Sequence, residues 1–470
     1  MSRRREAAAT APAPRRRVGV ISLGCAKNLV DTEVMLGHLD AAGWDVAADP
    51  EDAEVILVNT CAFIGPAREE SIRTILEATE CKKTGRVRRV VVAGCMVQRY
   101  RDELRRELPE VDAFIDLDEL DRVADGVAGT SSTVSAPAPS ALRVVIGPPR
   151  PASFLYDDRT PRVPSTPPWT AYVKIAEGCD HTCTFCAIPA FRGPFRSRRP
   201  SSVVREVELL AARGRVEINL IAQDSSHYGR DLGVADGLAG LLEALDEVDA
   251  VRWLRLHYLY PNTVTDRLIE AMARLDRVVK YVDIPLQHAH PAVLRRMQRG
   301  GSAERHMRLL DKFRAAMPDV ALRTTLIVGF PGESEDEYDV LLDFVRGAGF
   351  DHLGAFTYSH EEGTAAAGLP DDVPDETKHA RLDRLMDVQR SIAIARNRAR
   401  VGRTVEVLAE GAHPETEHLL VGRMSTQAPG VDGQVLLNDG FARAGEIVRV
   451  ELTDVAGYDL VGRIVDPAGA

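Results

Sequence analysis

Three cysteines share one short stretch of this chain, Cys179, Cys183 and Cys186 in GCDHTCTFCAIP. The spacing C-x-x-x-C-x-x-C puts three thiolates on a single turn. A 4Fe–4S cluster normally takes four cysteine ligands, so three would hold such a cluster and leave one iron open. An open coordination position is where chemistry happens rather than storage. The competing reading is a structural zinc site with His181 as fourth ligand. Structural zinc sites usually join two ligand halves across a finger of about a dozen or more residues, and no second C-x-x-C or H-x-x-x-H half lies nearby.

A second set of cysteines is defined by the elements that precede them. Residues 18–125 alternate β-rich apolar runs (VGVISL, VILVNT, VVVAG) with helical stretches such as DTEVMLGHLDAAG and PAREESIRTILEAT. This alternation predicts a doubly wound parallel sheet. Cys25, Cys61 and Cys95 each follow one of the runs, in SLGCAKN, VNTCAF and VAGCMV. Ligand sites of open α/β sheets form outside the carboxyl ends of the strands. A lone cysteine there is commonly a small buried residue, but three in one structural position predict a second three-cysteine cluster. Cys81, at a helix end in EATECKKTG, breaks the pattern and reads as a bystander.

Residues 126–168 are rich in proline, serine and small residues and read as an extended connector. From 169 to 401 alternation returns with six candidate strands: AYVKIAEG, EINLIAQD, WLRLHYLYP, YVDIPLQH, RTTLIVGF and HLGAFTYS. Six strand–helix units predict an incomplete (β/α)6 barrel, whose site forms at the strand ends. Gln223, Asp224, His257, Gln287, His288 and Glu333 fall there, and VGFPGE at 328–333 is a Gly-rich turn able to admit a ligand closely. Residues 402–470 read as five short strands of a small antiparallel β-barrel of the OB-like kind. That last segment has five arginines and no lysine against eleven acidic residues. Such a surface repels phosphate and suits a basic partner.

The bulk numbers fit a multidomain globular chain. The 470 residues, 45% of them hydrophobic, suffice for several packed domains. No apolar run reaches the roughly 18 residues that span a bilayer. Residues 1–17 are Arg-rich without a signal-peptide apolar core and read as a disordered leader, which predicts a cytoplasmic chain. Seven unevenly spaced cysteines do not make a disulfide framework, and a net charge of −11 argues against a chain built to coat nucleic acid, a local basic patch aside.

From about residue 18 to 470 the chain resembles the methylthiotransferases of the radical S-adenosylmethionine (SAM) superfamily. ISLGCAKNLVDTE, VNTCAFIGPAREES, EGCDHTCTFCAIPAFRGPFRSR, IAQDSSHYG, LHYLYP and DIPLQH are similar to motifs of its RimO branch. The resemblance implies three domains: an N-terminal cluster domain, a radical-SAM barrel and a C-terminal TRAM domain. It implies two 4Fe–4S clusters, an auxiliary one on Cys25, Cys61 and Cys95 and a radical-SAM one on Cys179, Cys183 and Cys186. Cofactor SAM is expected near Gln223, Gln287, Gly329 and Glu333, with no catalytic side chain assigned beyond the cluster ligands. The implied reaction is radical transfer of a methylthio group to the β-carbon of an aspartate in small-subunit ribosomal protein S-twelve. A low-potential electron donor and a sulfur source are further implied partners. The alternatives are a transfer-RNA adenosine methylthiotransferase similar to MiaB, and a non-catalytic two-cluster carrier. Carriers close their clusters with a fourth cysteine, which both trios lack.

Overall fold

A computed structural model of the chain describes residues 16–130 and 151–466. The leader expected over 1–17, apart from Arg16 and Arg17, lies outside the described residues, as do positions 131–150 of the expected connector. The chain divides into two compact units. Of the described residues, the first comprises 16–62, 66–130 and 160–163; the second comprises 63–65, 151–159 and 164–466.

The first unit is built on five parallel strands, β1 (Arg16–Ser22), β2 (Trp44–Val46), β3 (Val55–Thr60), β4 (Arg89–Gly94) and β5 (Ala113–Ile115). Their order is β2-β1-β3-β4-β5. All six residues of β3 and five of the six in β4 are buried, the continuous apolar run of a strand covered on both faces. The three-residue strands β2 and β5 add to the three expected from sequence. Helix Val123–Ala128 carries this domain past the expected boundary at 125.

In the second unit, β6 (Thr170–Lys174), β9 (Glu217–Ile221) and β10 (Trp253–Leu256) form one parallel sheet. The short β7 (Ala176–Glu177) and β8 (Arg196–Ser197) pair with each other beside it. A second parallel sheet joins β11 (Tyr281–Asp283), β12 (Ala321–Val328) and β13 (His352–Thr357). A parallel bridge from Leu254 to Val278 links the two sheets. The strands therefore run in chain order as a six-stranded arc, open between β6 and β13 among the described residues, as the six strand–helix units predicted. The apolar core lies between this arc and its helices.

Five further strands, β14 (Thr404–His413), β15 (Thr416–Met424), β16 (Val435–Asp439), β17 (Ile447–Ala456) and β18 (Asp459–Asp466), close a small barrel in the order β14-β15-β16-β18-β17. Its pairings are antiparallel except β16 with β18, which is parallel. The loop between β15 and β16 forms a floor under the larger barrel, at the amino ends of its strands. Arg255 donates to the Ser425 carbonyl at 2.8 Å, His352 meets the Thr426 carbonyl at 2.9 Å, and Tyr281 donates to Asp432 at 2.8 Å. Arg423 reaches Glu217 at 2.7 Å.

Residues 151–168 of the expected connector carry no helix or strand, yet side chains along them are packed. The Tyr156 hydroxyl is buried on Glu206 at 3.2 Å. Arg162 forms a buried ion pair with Glu33 at 2.5 Å, and Pro161 fills the space that a side chain at Gly37 would need. Composition conceals this because a few large side chains among prolines do the packing. Among the described residues no helix is long and apolar enough to cross a membrane.

Candidate metal centres

Cys179, Cys183 and Cys186 follow β7 in a loop that the rest of the unit holds from several sides. The Cys179 N–H donates to the Gly193 carbonyl and the Cys186 N–H to the Cys183 carbonyl, each at 3.1 Å. Thr184 fastens the loop to the carboxyl end of helix Pro291–Arg296. Its N–H donates to the Met297 carbonyl at 3.1 Å and its hydroxyl to the Arg296 carbonyl at 2.8 Å. The three cysteines line one open depression of about 480 Å³, with Gly363, Thr364 and Ala365 on another wall.

The donor set suits a cluster better than a single ion. No three His, Cys, Asp or Glu side chains among the described residues converge on one ion-sized point. A cubane cluster binds each thiolate at a separate iron, so its ligands ring a gap. His181 is engaged elsewhere: Nε2 lies 2.7 Å from Asp224 Oδ2, and its ring stacks on Tyr260 at 3.7 Å. Burial pushes the Cys179 and Cys186 thiols up to about 12. Both keep their protons at neutral pH until a metal displaces them.

At the barrel mouth the structure gathers the polar residues expected from sequence, and it gives them different duties. Gln223 donates to buried Glu177, while its own Oε1 is buried without a hydrogen-bond partner. Burial alone would raise the Glu177 carboxyl, but Arg192 at 3.1 Å and Lys174 at 2.6 Å bring it down to about 2. Gln287 stands at φ +72°, and Tyr258, at the end of the neighbouring strand β10, at φ +61°. A non-glycine residue in this left-handed region costs roughly 1–2 kcal/mol, strain that concentrates at functional sites.

Glu333 closes the Gly-rich turn on itself. Its carboxylate accepts the Gly329 N–H at 3.0 Å, the Phe330 N–H at 3.4 Å and Arg381 at 2.9 Å. His288 Nδ1 accepts the His290 N–H at 3.0 Å, which leaves the ring proton on Nε2, 3.4 Å from Glu333. Gly329, at φ +70°, is required because a Cβ there would stand 2.3 Å from the Lys378 side chain. His257 is drawn into the barrel lumen, between Asn219 at 3.2 Å and Asp283 at 3.6 Å.

Sequence reasoning missed Tyr260 and Arg299. The Arg299 guanidinium lies over the Tyr260 ring at 4.4 Å and reaches Cys183 Sγ at 3.5 Å.

In the first unit, the order β2-β1-β3 reverses direction between β1 and β3, the switch point where α/β sheets open a crevice. The loops after β1 and β3 carry Cys25 and Cys61; Cys95 follows β4, the next strand over. Packing ties the three loops together. Gly24 is pressed on Cys61, for a Cβ there would stand 2.8 Å from Cys61 Cβ and 3.0 Å from its Sγ. Asn28 donates to the Leu23 carbonyl at 2.7 Å and the Thr60 carbonyl at 3.2 Å, and its Oδ1 lies 3.8 Å from Cys95 Sγ. Ser71 accepts the Cys61 N–H and donates back to the Cys61 carbonyl, both at 3.0 Å.

Cys25 is the N-cap of helix Ala26–Ala41, and Cys95 opens helix Cys95–Glu107; neither helix has an acidic residue in its first turn. Two helix amino ends therefore favour a negatively charged group at this corner. Cys81 stands past the far end of the 16-residue helix Gly65–Glu80, about 24 Å of helix from the Cys61 end.

Comparison with known proteins covers most of the chain. Residues 17–116 match the description "Uncharacterized protein family UPF0004", residues 173–345 the Radical SAM superfamily, and residues 401–465 the TRAM domain. A ribosomal protein uS12 methylthiotransferase RimO from Solibacter usitatus is 49% identical over 456 residues, 96% of this chain and 95% of the relative. The protein of the same name from Anaeromyxobacter sp. strain K is 50% identical, covering 97% and 95%. That from Geobacter sulfurreducens is 46% identical, covering 96% and 98%. Among solved structures, the radical S-adenosylmethionine methyltransferase TsrM from Kitasatospora setae, with cobalamin and a 4Fe–4S cluster bound, shares the fold at a TM-score of 0.52. It is 16% identical, over 73% of this chain and 72% of that one.

Proposed function

This chain belongs to the RimO family of radical-SAM methylthiotransferases, and on that premise we propose that it adds a methylthio group to the β-carbon of an aspartate in ribosomal protein uS12. The observation that carries the reading is the pair of cysteine trios, each one thiolate short of closing a 4Fe–4S cluster. Cys179, Cys183 and Cys186 would hold the cluster that works with SAM, and Cys25, Cys61 and Cys95 the auxiliary one. When bound, the two clusters and SAM supply the electron, the carbon-centred radical, the sulfur and the methyl group. The β-carbon of an aspartate is neither electrophilic nor appreciably acidic, so acid–base catalysis by side chains offers no route to a C–S bond there.

The chain's own task is positioning. Gln223, with its buried unpaired Oε1, and Gln287, on strained backbone, border the SAM neighbourhood. Glu333 serves it indirectly, by fixing the turn that begins at Gly329. The opening of the arc between β6 and β13 suits entry of a loop from a folded protein.

The acidic surplus of the TRAM domain supports a basic protein as substrate. Arg423 and the Asp432 carboxylate are both withdrawn into the barrel floor, so one charge of each sign leaves the surface and the excess of acidic groups persists. A ribosomal substrate implies action in the cytoplasm, with a low-potential electron donor and a sulfur source as further partners. The test offers uS12 and transfer RNA in parallel to the reconstituted enzyme with SAM and reductant, and weighs both. A methylthio mass gain on uS12 alone is expected; a gain on transfer RNA alone would overturn the choice of substrate.

A further inference from the structure

Arg299 is a buried cation, 8% exposed, for which the described residues supply no carboxylate within ion-pairing distance. Its Nη2 donates to the Pro285 carbonyl at 2.7 Å, its Nη1 reaches Cys183 Sγ at 3.5 Å, and its Nε is buried without a hydrogen-bond partner. Removing a charge from water without an opposite charge is costly. A negatively charged group held at Cys183, 3.5 Å from Nη1, would offset that cost. The guanidinium is also held in place. It lies over the Tyr260 ring at 4.4 Å, Tyr260 stacks on His181, and His181 is anchored by Asp224; the Arg299 N–H donates to the Leu294 carbonyl at 2.8 Å.

We propose that Arg299 is a positioning residue that raises the reduction potential of the cluster site on Cys179, Cys183 and Cys186. The inference rests on the reading of that trio as a 4Fe–4S site. Each electron delivered there by a low-potential donor adds one negative charge beside Arg299, with no bond made or broken and no proton moved. A fixed positive charge stabilises the reduced state more than the oxidised one. At an effective dielectric of about 20, a unit charge within several ångströms of the added electron changes the ratio of reduced to oxidised site by at least about tenfold. Charge is the operative property, so lysine should preserve much of the effect and glutamine should lose it.

The experiment uses the full chain with Cys25, Cys61 and Cys95 replaced by Ala, so that only one trio can load. This parent and its R299K and R299Q variants are reconstituted anaerobically, their iron is counted, and dithionite titrations are followed by electron paramagnetic resonance. With about four irons retained, R299Q should show a reduced-to-oxidised ratio at least about tenfold lower at a given potential. That corresponds to a downward midpoint shift of about 59 mV or more for a one-electron couple. R299K should stay within about threefold of the parent. A fully loaded R299Q that titrates with the parent overturns the proposal, as does an R299K that falls as far as R299Q. If R299Q does not load, a loaded R299K at the parent potential upholds the charge requirement; failure of both variants to load makes Arg299 structural and overturns it. A parent that binds no iron refutes the cluster reading itself, which is a separate result.

Discussion

Replacing Gly24 by Ala should dismantle the Cys25, Cys61 and Cys95 corner while sparing the other trio, and a second glycine provides the control. Gly24 has φ +87° and Gly43 has φ +82°, so alanine at either position bears the same left-handed penalty of roughly 1–2 kcal/mol. The surroundings differ. A Cβ at Gly43 meets nothing within 4 Å, whereas at Gly24 it stands 2.8 Å from Cys61 Cβ and 3.0 Å from Cys61 Sγ. Cys61 cannot simply move away, because its N–H and carbonyl are both fastened to Ser71. Overpacking of this kind adds about 1–3 kcal/mol. Gly43→Ala should therefore lose about 1–2 kcal/mol and Gly24→Ala about 2–5 kcal/mol in urea unfolding of the metal-free chains. After reconstitution, Gly43→Ala should carry about eight irons and Gly24→Ala about four, with SAM cleavage retained and methylthio transfer lost. A Gly24→Ala chain that matches Gly43→Ala in stability and iron would refute the packing of Gly24 on Cys61 as a requirement of that corner.

Two further outcomes follow from buried carboxylates. Glu217 is fully buried between Arg423 at 2.7 Å and Arg255 at 3.0 Å; burial would raise its carboxyl, but the two guanidinium groups bring it down to about 2. Against an ordinary glutamate value of about 4.3, that depression is worth about 3 kcal/mol at pH 7, so Glu217→Gln should lose about that much in urea unfolding. Because the folded value is the lower one, this contribution is whole above about pH 4.3 and declines as pH falls toward 2; a stability gap between wild type and Glu217→Gln that widens on acidification would contradict the assignment. Glu333→Gln should raise KM for SAM more than it lowers kcat, since the carboxylate shapes the turn at Gly329 through the Gly329 and Phe330 N–H groups. An unchanged KM would remove that turn from the SAM neighbourhood.

The cysteines were legible because their signal is local: three in one turn, and three at the ends of apolar runs whose alternation with helices fixes the edge they share. The three-residue strands β2 and β5 were not, since WDV and AFI are too short to show a period. Arg299 was hidden for another reason. It lies 116 positions from Cys183, and only the curling of the strand arc brings the two together. Glu217, Arg255, Asp283 and Arg323 left a clue that went unused. Charged residues inside strands of a parallel sheet, which is normally covered on both faces, must find partners in the lumen. The floor loop 425–434 provides two of them, the Ser425 carbonyl for Arg255 and Asp432 for Arg323, and its sequence alone gives no hint of that role.

The central claim is that two unsaturated iron–sulfur sites divide the labour, one working with SAM and one carrying sulfur. Its most direct measurement is the product spectrum of Cys61→Ala after anaerobic reconstitution, beside Cys183→Ala, with uS12, SAM and reductant supplied. The account predicts that Cys61→Ala still cleaves SAM and leaves uS12 unmodified, while Cys183→Ala does neither. Methylthiolated uS12 formed by Cys61→Ala at the wild-type rate would contradict it.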